Sequence, residues 1–362
     1  MATNILSVSS VDPRIVKRYL ASTGESESVV EWKYFDQRFG QGRERAFVLI
    51  GDGEVHGFIG LIPFRMLRNR REVSVAWSCD WSLDLRSQTL LNGLRLLREC
   101  LHPYDFVLSS ASGASARRIF SQIARVSIPR AVVTLHAFIP IARLFPALKL
   151  LKPELRRQVV QSLYPLRRLP SWIGGREVAD DNVMIEPGVS RVLAPLLDRL
   201  NVVDGVPLYD LEHIDWQIGH CPVLASYTVY CKAEDNLCTA ILLWCSAASR
   251  DFWRMSVLAV NPKAAEVGAL ITATLAYVLN QGGVSLSVVV SRQESQLIEV
   301  LRARGFIVSP KRRPLYVMGT SRLQHNLPEP RRLSFLDADL GYRMPVGYPT
   351  LVSMAANDMS GG

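Results

Sequence analysis

The sequence predicts an α/β (α+β) protein of two tandem domains, each a mixed, mostly antiparallel sheet flanked by helices. Three observations predict it. A strand–serine–helix unit occurs twice, at "YDFVLSSASGASARRIFSQIARV" (104–126) and "VSLSVVVSRQESQLIEVLRARGF" (284–306), with Ser110 and Ser291 standing 181 residues apart. A tryptophan-led segment also occurs twice, "EWKYFDQRF" (31–39) and "DWQIGHCPV" (215–223), with Trp32 and Trp216 184 apart. Finally, 362 residues exceed what one ordinary core holds and suit two domains.

The elements follow in matching order. Each tryptophan segment precedes a hairpin pattern: "AFVLIGDGEVHGFIGLIPFRML" (46–67) turns at Asp52-Gly53, and "ASYTVYCKAEDNLCTAILLWCS" (225–246) turns at Asp235-Asn236. A third strand comes next, "EVSVAWSCDWSLDL" (72–85) and "DFWRMSVLAVNP" (251–262). Each runs into a helix, "QTLLNGLRLLRECL" (88–101) and "AEVGALITATLAYVLNQ" (265–281). The strand–serine–helix unit then leads to a last strand, within "IARVSIPRAVV" and "RGFIVSPKRRPLYV". Ile119 and Ile123 in one helix, Ile298 and Leu301 in the other, keep helical spacing. Matched offsets over unlike sequences point to a duplication. The expected division is a first domain over 1–140, a helical, basic linker over 141–204, a second domain over 205–322 and a tail over 323–362.

Composition narrows the function classes. Hydrophobic residues at 48% and charged residues at 21% give a globular balance rather than a disordered one. The start, "MATNILSVSSVDPRIVKRYL", lacks the basic and apolar regions of a signal peptide, so a cytoplasmic location is expected. No stretch offers the ~20 apolar residues of a spanning helix. "AVVTLHAFIPIARLFPALKLL" (131–151) reads as a strand and an amphipathic helix, which leaves peripheral membrane contact open. The six cysteines form no C-x-x-C pair and show no zinc spacing, so no metal is expected. The net charge of +9 would suit phosphates or RNA, yet the basic clusters are short and scattered.

The element order resembles the GNAT acyltransferase superfamily, here as two GNAT-like domains in tandem. Two stretches per half carry the resemblance: the strand-into-helix turn and the strand–serine–helix–strand unit, the latter ending in Gly305-Phe306 as that helix commonly does in the family. The resemblance covers roughly 12–140 and 205–320. It implies acetyl-CoA or another acyl-CoA as co-substrate and transfer to an amine on a small molecule or saccharide precursor. Ligands would lie where the two sheets' open edges face a shared cleft.

Three devices are implied. Backbone N–H groups at a helix start hold the donor's pyrophosphate. A splayed strand lets a backbone N–H polarise the thioester carbonyl. A base takes the amine's proton and an acid assists the thiolate. The family builds the first device from a Q/R-x-x-G-x-G/A turn. In the first half Gln88 matches its first position and Gly93 its last, with Thr89 and Asn92 between, but Leu91 replaces the middle glycine. The second half keeps Gly268 in the middle, with Ala265 and Leu270 replacing the flanking positions. The tyrosine that often serves as acid is replaced by Phe120 and Leu301. Asp80, in "WSCDWSLDL", is the candidate base; an acid there among apolar neighbours needs a partner or a raised pKa. Chemistry is therefore expected in the first half. Two alternatives stay open: a FemAB-like transferase using charged tRNA, and a non-catalytic GNAT-fold scaffold.

Overall fold

A computed structural model describes residues 3–36, 43–84, 89–110, 114–124, 126–138, 182–232, 237–260, 263–283, 285–309 and 313–319. The first half contains β1 (Asn4–Ser7), α1 (Pro13–Ser22), α2 (Glu27–Val30), β2 (Ala46–Gly51), β3 (Glu54–Arg68), β4 (Arg71–Leu83), α3 (Leu90–Glu99), β5 (Phe106–Ser109), α4 (Ala114–Ile123) and β6 (Val126–Phe138). The second contains β7 (Val183–Pro187), α5 (Ala194–Leu200), β8 (Pro207–Leu208), α6 (Leu211–Ile214), β9 (Leu224–Cys231), β10 (Thr239–Ser246), β11 (Phe252–Ala259), α7 (Ala264–Asn280), β12 (Ser285–Ser291), α8 (Ser295–Ala303), β13 (Ile307–Val308) and β14 (Arg313–Gly319). Residues 183–200, within the segment read as linker, thus form a strand and a helix. Residues 139–181 and the tail beyond 319 lie outside the described residues, as does the turn at Asp235-Asn236.

Local chemistry explains the element ends. Asp12 caps α1 by accepting the Arg14 N–H at 2.9 Å, and Pro13 fills the first helical position, where no N–H is needed. The β2–β3 hairpin turns at Asp52 and Gly53, with φ of 52° and 79°, the left-handed pair that such a two-residue turn requires. Both tryptophan segments form a wide π-type turn, Glu31–Phe35 after α2 and Asp215–Gly219 after α6. The two turns are 184 residues apart, so the repeat includes an unusual local geometry that often marks functional positions.

The halves are joined by an exchange of strands. The sheet runs β1-β2-β3-β4-β5-β14-β6-β12-β11-β10-β9-β7. Strand β14, from the second half, lies between β5 and β6, pairing Tyr316 with Ser109 on one side and with Ser127 on the other. Reciprocally, the far end of β6 pairs with β12, from Val132 beside Ser291 to Phe138 beside Ser285. Its outer edge is closed by β13, with Ile307 beside His136. The stretches 126–138 and 307–319 are again 181 residues apart. Each half therefore completes its sheet with the other's last strand. Counterpart residues also meet at the junction: Trp32 stacks on Trp216, and its indole N–H donates to the Trp216 carbonyl at 3.1 Å.

Candidate functional site

In the first half, β4 runs beside β5 in parallel from Val75 to Trp77; the pairing with β5 ends there, while β4 extends to Leu83. This is the splay the fold resemblance implies. Within the splayed length, Phe58 faces Ser82 but Gly60 faces Cys79, so Ile59 opposes two residues, Asp80 and Trp81. That is a β-bulge, and Asp80 takes a left-handed φ of 45° within it. The bulge turns two successive side chains to one face. Cys79 Sγ lies 3.6 Å from the Tyr34 hydroxyl, and that hydroxyl also donates to the Asp80 carboxylate. Lys33 Nζ completes the arrangement at 2.5 Å from Asp80 Oδ2. The Lys33 and Asp80 side chains are only 4% and 3% exposed. Asp80 is thus the carboxylate of a buried ion pair, held by two residues of the first π-turn. Gly60 makes room for this: a Cβ there would stand 2.2 Å from the Tyr34 oxygen.

The same bulge aims Trp81 at the helices. Its indole meets Phe120 edge-on at 5.2 Å, and Phe120 stacks on Tyr316. A Cβ at Gly93 would lie 3.0 Å from Ile119 and 3.1 Å from Trp81. Among the described residues Trp81, Ile119 and Phe120 thus pack together beside the wedge between β4 and β5, and Gly93 is part of that packing. Gln88 lies outside the described residues. Thr89 caps α3, its hydroxyl accepting the Asn92 N–H at 3.1 Å. The Gly93 N–H is bonded to the Thr89 carbonyl at 3.1 Å. Thr89, Asn92 and Gly93 therefore share the first turn of α3, but the N–H groups of Asn92 and Gly93 are used inside that turn. Leu91, in place of the middle glycine, is 66% exposed.

The second half differs at one position. Strands β11 and β12 run parallel from Phe252 beside Ser285 to Met255 beside Val288, then part. β11 keeps an unbroken register with β10, without a bulge. Val107 and Val288 are counterparts at the 181 offset, and beside them lie Ala76 and Met255. Counting onward, Ser78 matches Val257; allowing for the bulge residue, Trp81 matches Ala259. A methyl group stands where the first half has an indole. The wedge is open as a cleft of about 580 Å³, lined by Val257 and Ala259 from β11, Ala264 and Val267 from α7, and residues between Gln293 and Val300 around the start of α8. That volume falls in the range of small-molecule sites. The N-cap residue of α7, Lys263, makes no side-chain cap hydrogen bond, in contrast to Thr89 at the start of α3. The sequence places ligands in a cleft shared by the two halves; this cleft lies within the second.

The remaining candidates are accounted for by packing. Phe120 and Leu301, at the acid positions, are buried. The Tyr104 hydroxyl donates to the Glu44 carbonyl at 2.7 Å, and burial pushes its pKa above the ordinary tyrosine range. Among the described residues no group of three or more His, Cys, Asp or Glu side chains could hold a metal ion, and no helix is long and apolar enough to cross a membrane. The motif match falls on Gln88 and Gly93. The contrast between Trp81 and Ala259 was available in the sequence, but using it requires the bulge at Asp80, which shifts the alignment by one.

No family model matches this sequence, and no curated protein sequence matches it. Solved structures do resemble it. A GCN5-related N-acetyltransferase from Anabaena variabilis aligns over 89% of this chain and 74% of its own, at 10% identity and a TM-score of 0.54. A tandem GNAT protein from the clavulanic acid biosynthesis pathway aligns over 87% of this chain and 98% of its own, at 11% identity and a TM-score of 0.53. Saccharomyces cerevisiae N-myristoyltransferase, solved with myristoyl-CoA, aligns over 88% and 79%, at 10% identity and a TM-score of 0.50. At such identities the likeness establishes the fold: two GNAT-like units in tandem.

Proposed function

We propose that this protein transfers an acyl group from acetyl-CoA or another acyl-CoA to an amine, with the donor held in the second-half cleft. The observation that carries this reading is the open wedge at Ala259, beside a helix start whose N-cap residue, Lys263, makes no side-chain cap hydrogen bond. The cleft floor is apolar, from Val257, Ala259 and Val267, and suits the thioester arm. The α7 start offers N–H groups and the positive end of a 17-residue helix dipole to a pyrophosphate.

In the same reading the first half is a buttress. Its wedge is packed by Trp81, and its Asp80 carboxylate holds the π-turn to the strand. The acceptor is an amine on a small molecule or a saccharide precursor. The protein works in a reducing cytoplasm: all six cysteines are free, and burial pushes Cys221 and Cys245 up to about 11, which keeps these thiols protonated and unreactive.

Thermal unfolding with acetyl-CoA, free CoA and tRNA tests the reading. A donor at a hundred times its dissociation constant should stabilise the fold by ~2.7 kcal/mol. The absence of a shift with every CoA species would refute it, and a salt-sensitive shift with tRNA alone would favour an aminoacyl-tRNA-dependent transferase.

A further inference from the structure

The cleft contains a carboxylate that the donor does not need. Two titratable side chains are among its lining, Glu294 and Glu299. Glu294 is engaged in the turn: its carboxylate accepts the Ser291 N–H at 2.8 Å, closing the end of β12. Glu299 is exposed on α8 and lines the same space. The duplication gives this residue meaning. At the 181 offset, Arg117 and Arg118 of α4 become Ile298 and Glu299 of α8. The charge at this position is reversed in the half whose wedge is open. A carboxylate there repels the phosphates of a donor and attracts a cation.

We infer that Glu299 receives the amine of the acceptor at the mouth of the second-half cleft. This rests on the reading of that cleft as the acyl-CoA site. With the donor's thioester on the β11 floor, an amine drawn to Glu299 from solvent approaches over the first turns of α8. As the nitrogen attacks the carbonyl carbon, the C–N bond forms and the C–S bond breaks. The electron pair leaves with the CoA sulfur, which takes a proton from water. The ammonium must first give one proton to the Glu299 carboxylate, which frees the nitrogen lone pair for attack and passes that proton to solvent; the second proton, lost from nitrogen as the amide forms, goes to water.

The test needs no knowledge of the natural acceptor. Two CoA thioethers are titrated calorimetrically, one ending in a propyl chain and one in a 3-aminopropyl chain. Wild-type protein should bind the amine-tailed compound roughly tenfold more tightly, the scale of one charge-assisted contact. Glu299→Gln should erase that preference, with propyl-CoA bound no more weakly than by wild type. Equal binding of the two compounds by wild type, or a preference that survives in Glu299→Gln, overturns the inference while the donor reading stands. If neither compound binds, the donor reading fails and this inference fails with it. An exposed Glu→Gln change keeps size and leaves the fold intact.

Discussion

The indole of Trp32 stacks on the indole of Trp216 with ring centroids 4.6 Å apart and planes inclined by 20°, two counterparts of a duplication in direct contact. Both are about 5% exposed, and both are in the π-turns that precede the hairpins. The two halves thus meet through equivalent residues, and the exchanged strands β6 and β13–β14 bind them a second time.

Trp216→Ala should therefore destabilise the whole chain rather than one half. Truncating a buried tryptophan costs roughly 3–5 kcal/mol. Denaturation followed by tryptophan fluorescence and by far-ultraviolet circular dichroism should give coincident, single transitions at lower denaturant. Two separated transitions would mean that the halves unfold independently.

Asp80→Asn should lower stability by roughly 3–5 kcal/mol, because it leaves the Lys33 ammonium buried without its counter-charge. Asparagine tolerates the left-handed φ, so the loss reports the ion pair and not the backbone. Adding Lys33→Met should restore part of it. If Asp80 were instead the catalytic base, Asp80→Asn would cut turnover and leave the melting temperature in place.

His56 ties the first hairpin to the end of β4. Its Nδ1 lies 2.7 Å from Asp84 and its Nε2 3.0 Å from the Gly51 carbonyl. The Asp84 hydrogen bond raises its pKa above 6.5, against partial burial and with help from the Gly51 carbonyl. A raised folded-state value means the folded chain binds the proton more tightly. The contribution to stability is fully present below pH 6.5 and is lost as pH rises through the folded-state value. Chemical denaturation from pH 6 to 8.5 should show this loss in wild type and a flatter profile in His56→Gln. Identical slopes would remove the linkage.

Much of the fold could be read from the sequence because its elements keep their own periods. Apolar runs interrupted by a turn in 46–67 and 225–246 and helical spacing in 114–123 and 295–303 set the order of both units. The strand exchange could not be read. Residues 126–138 pair as well with β14 as with β12 in an antiparallel ladder, and nothing local selects the partner. Asp80 was visible as a carboxylate in need of a partner, but Lys33 lies 47 residues away in an exposed-looking helix, and the π-turn that points it inward leaves no period. The open cleft was hidden for a related reason: Ala259 matches Trp81 only after one bulge residue is counted.

Calorimetric titration of acetyl-CoA into wild type, Ala259→Trp and Trp81→Ala tests the central claim most directly. The account predicts one equivalent bound by wild type, binding lost in Ala259→Trp with the circular dichroism spectrum unchanged, and the second-half site retained in Trp81→Ala. Wild-type affinity in a folded Ala259→Trp protein would contradict it and return the donor to the turn at Thr89–Gly93.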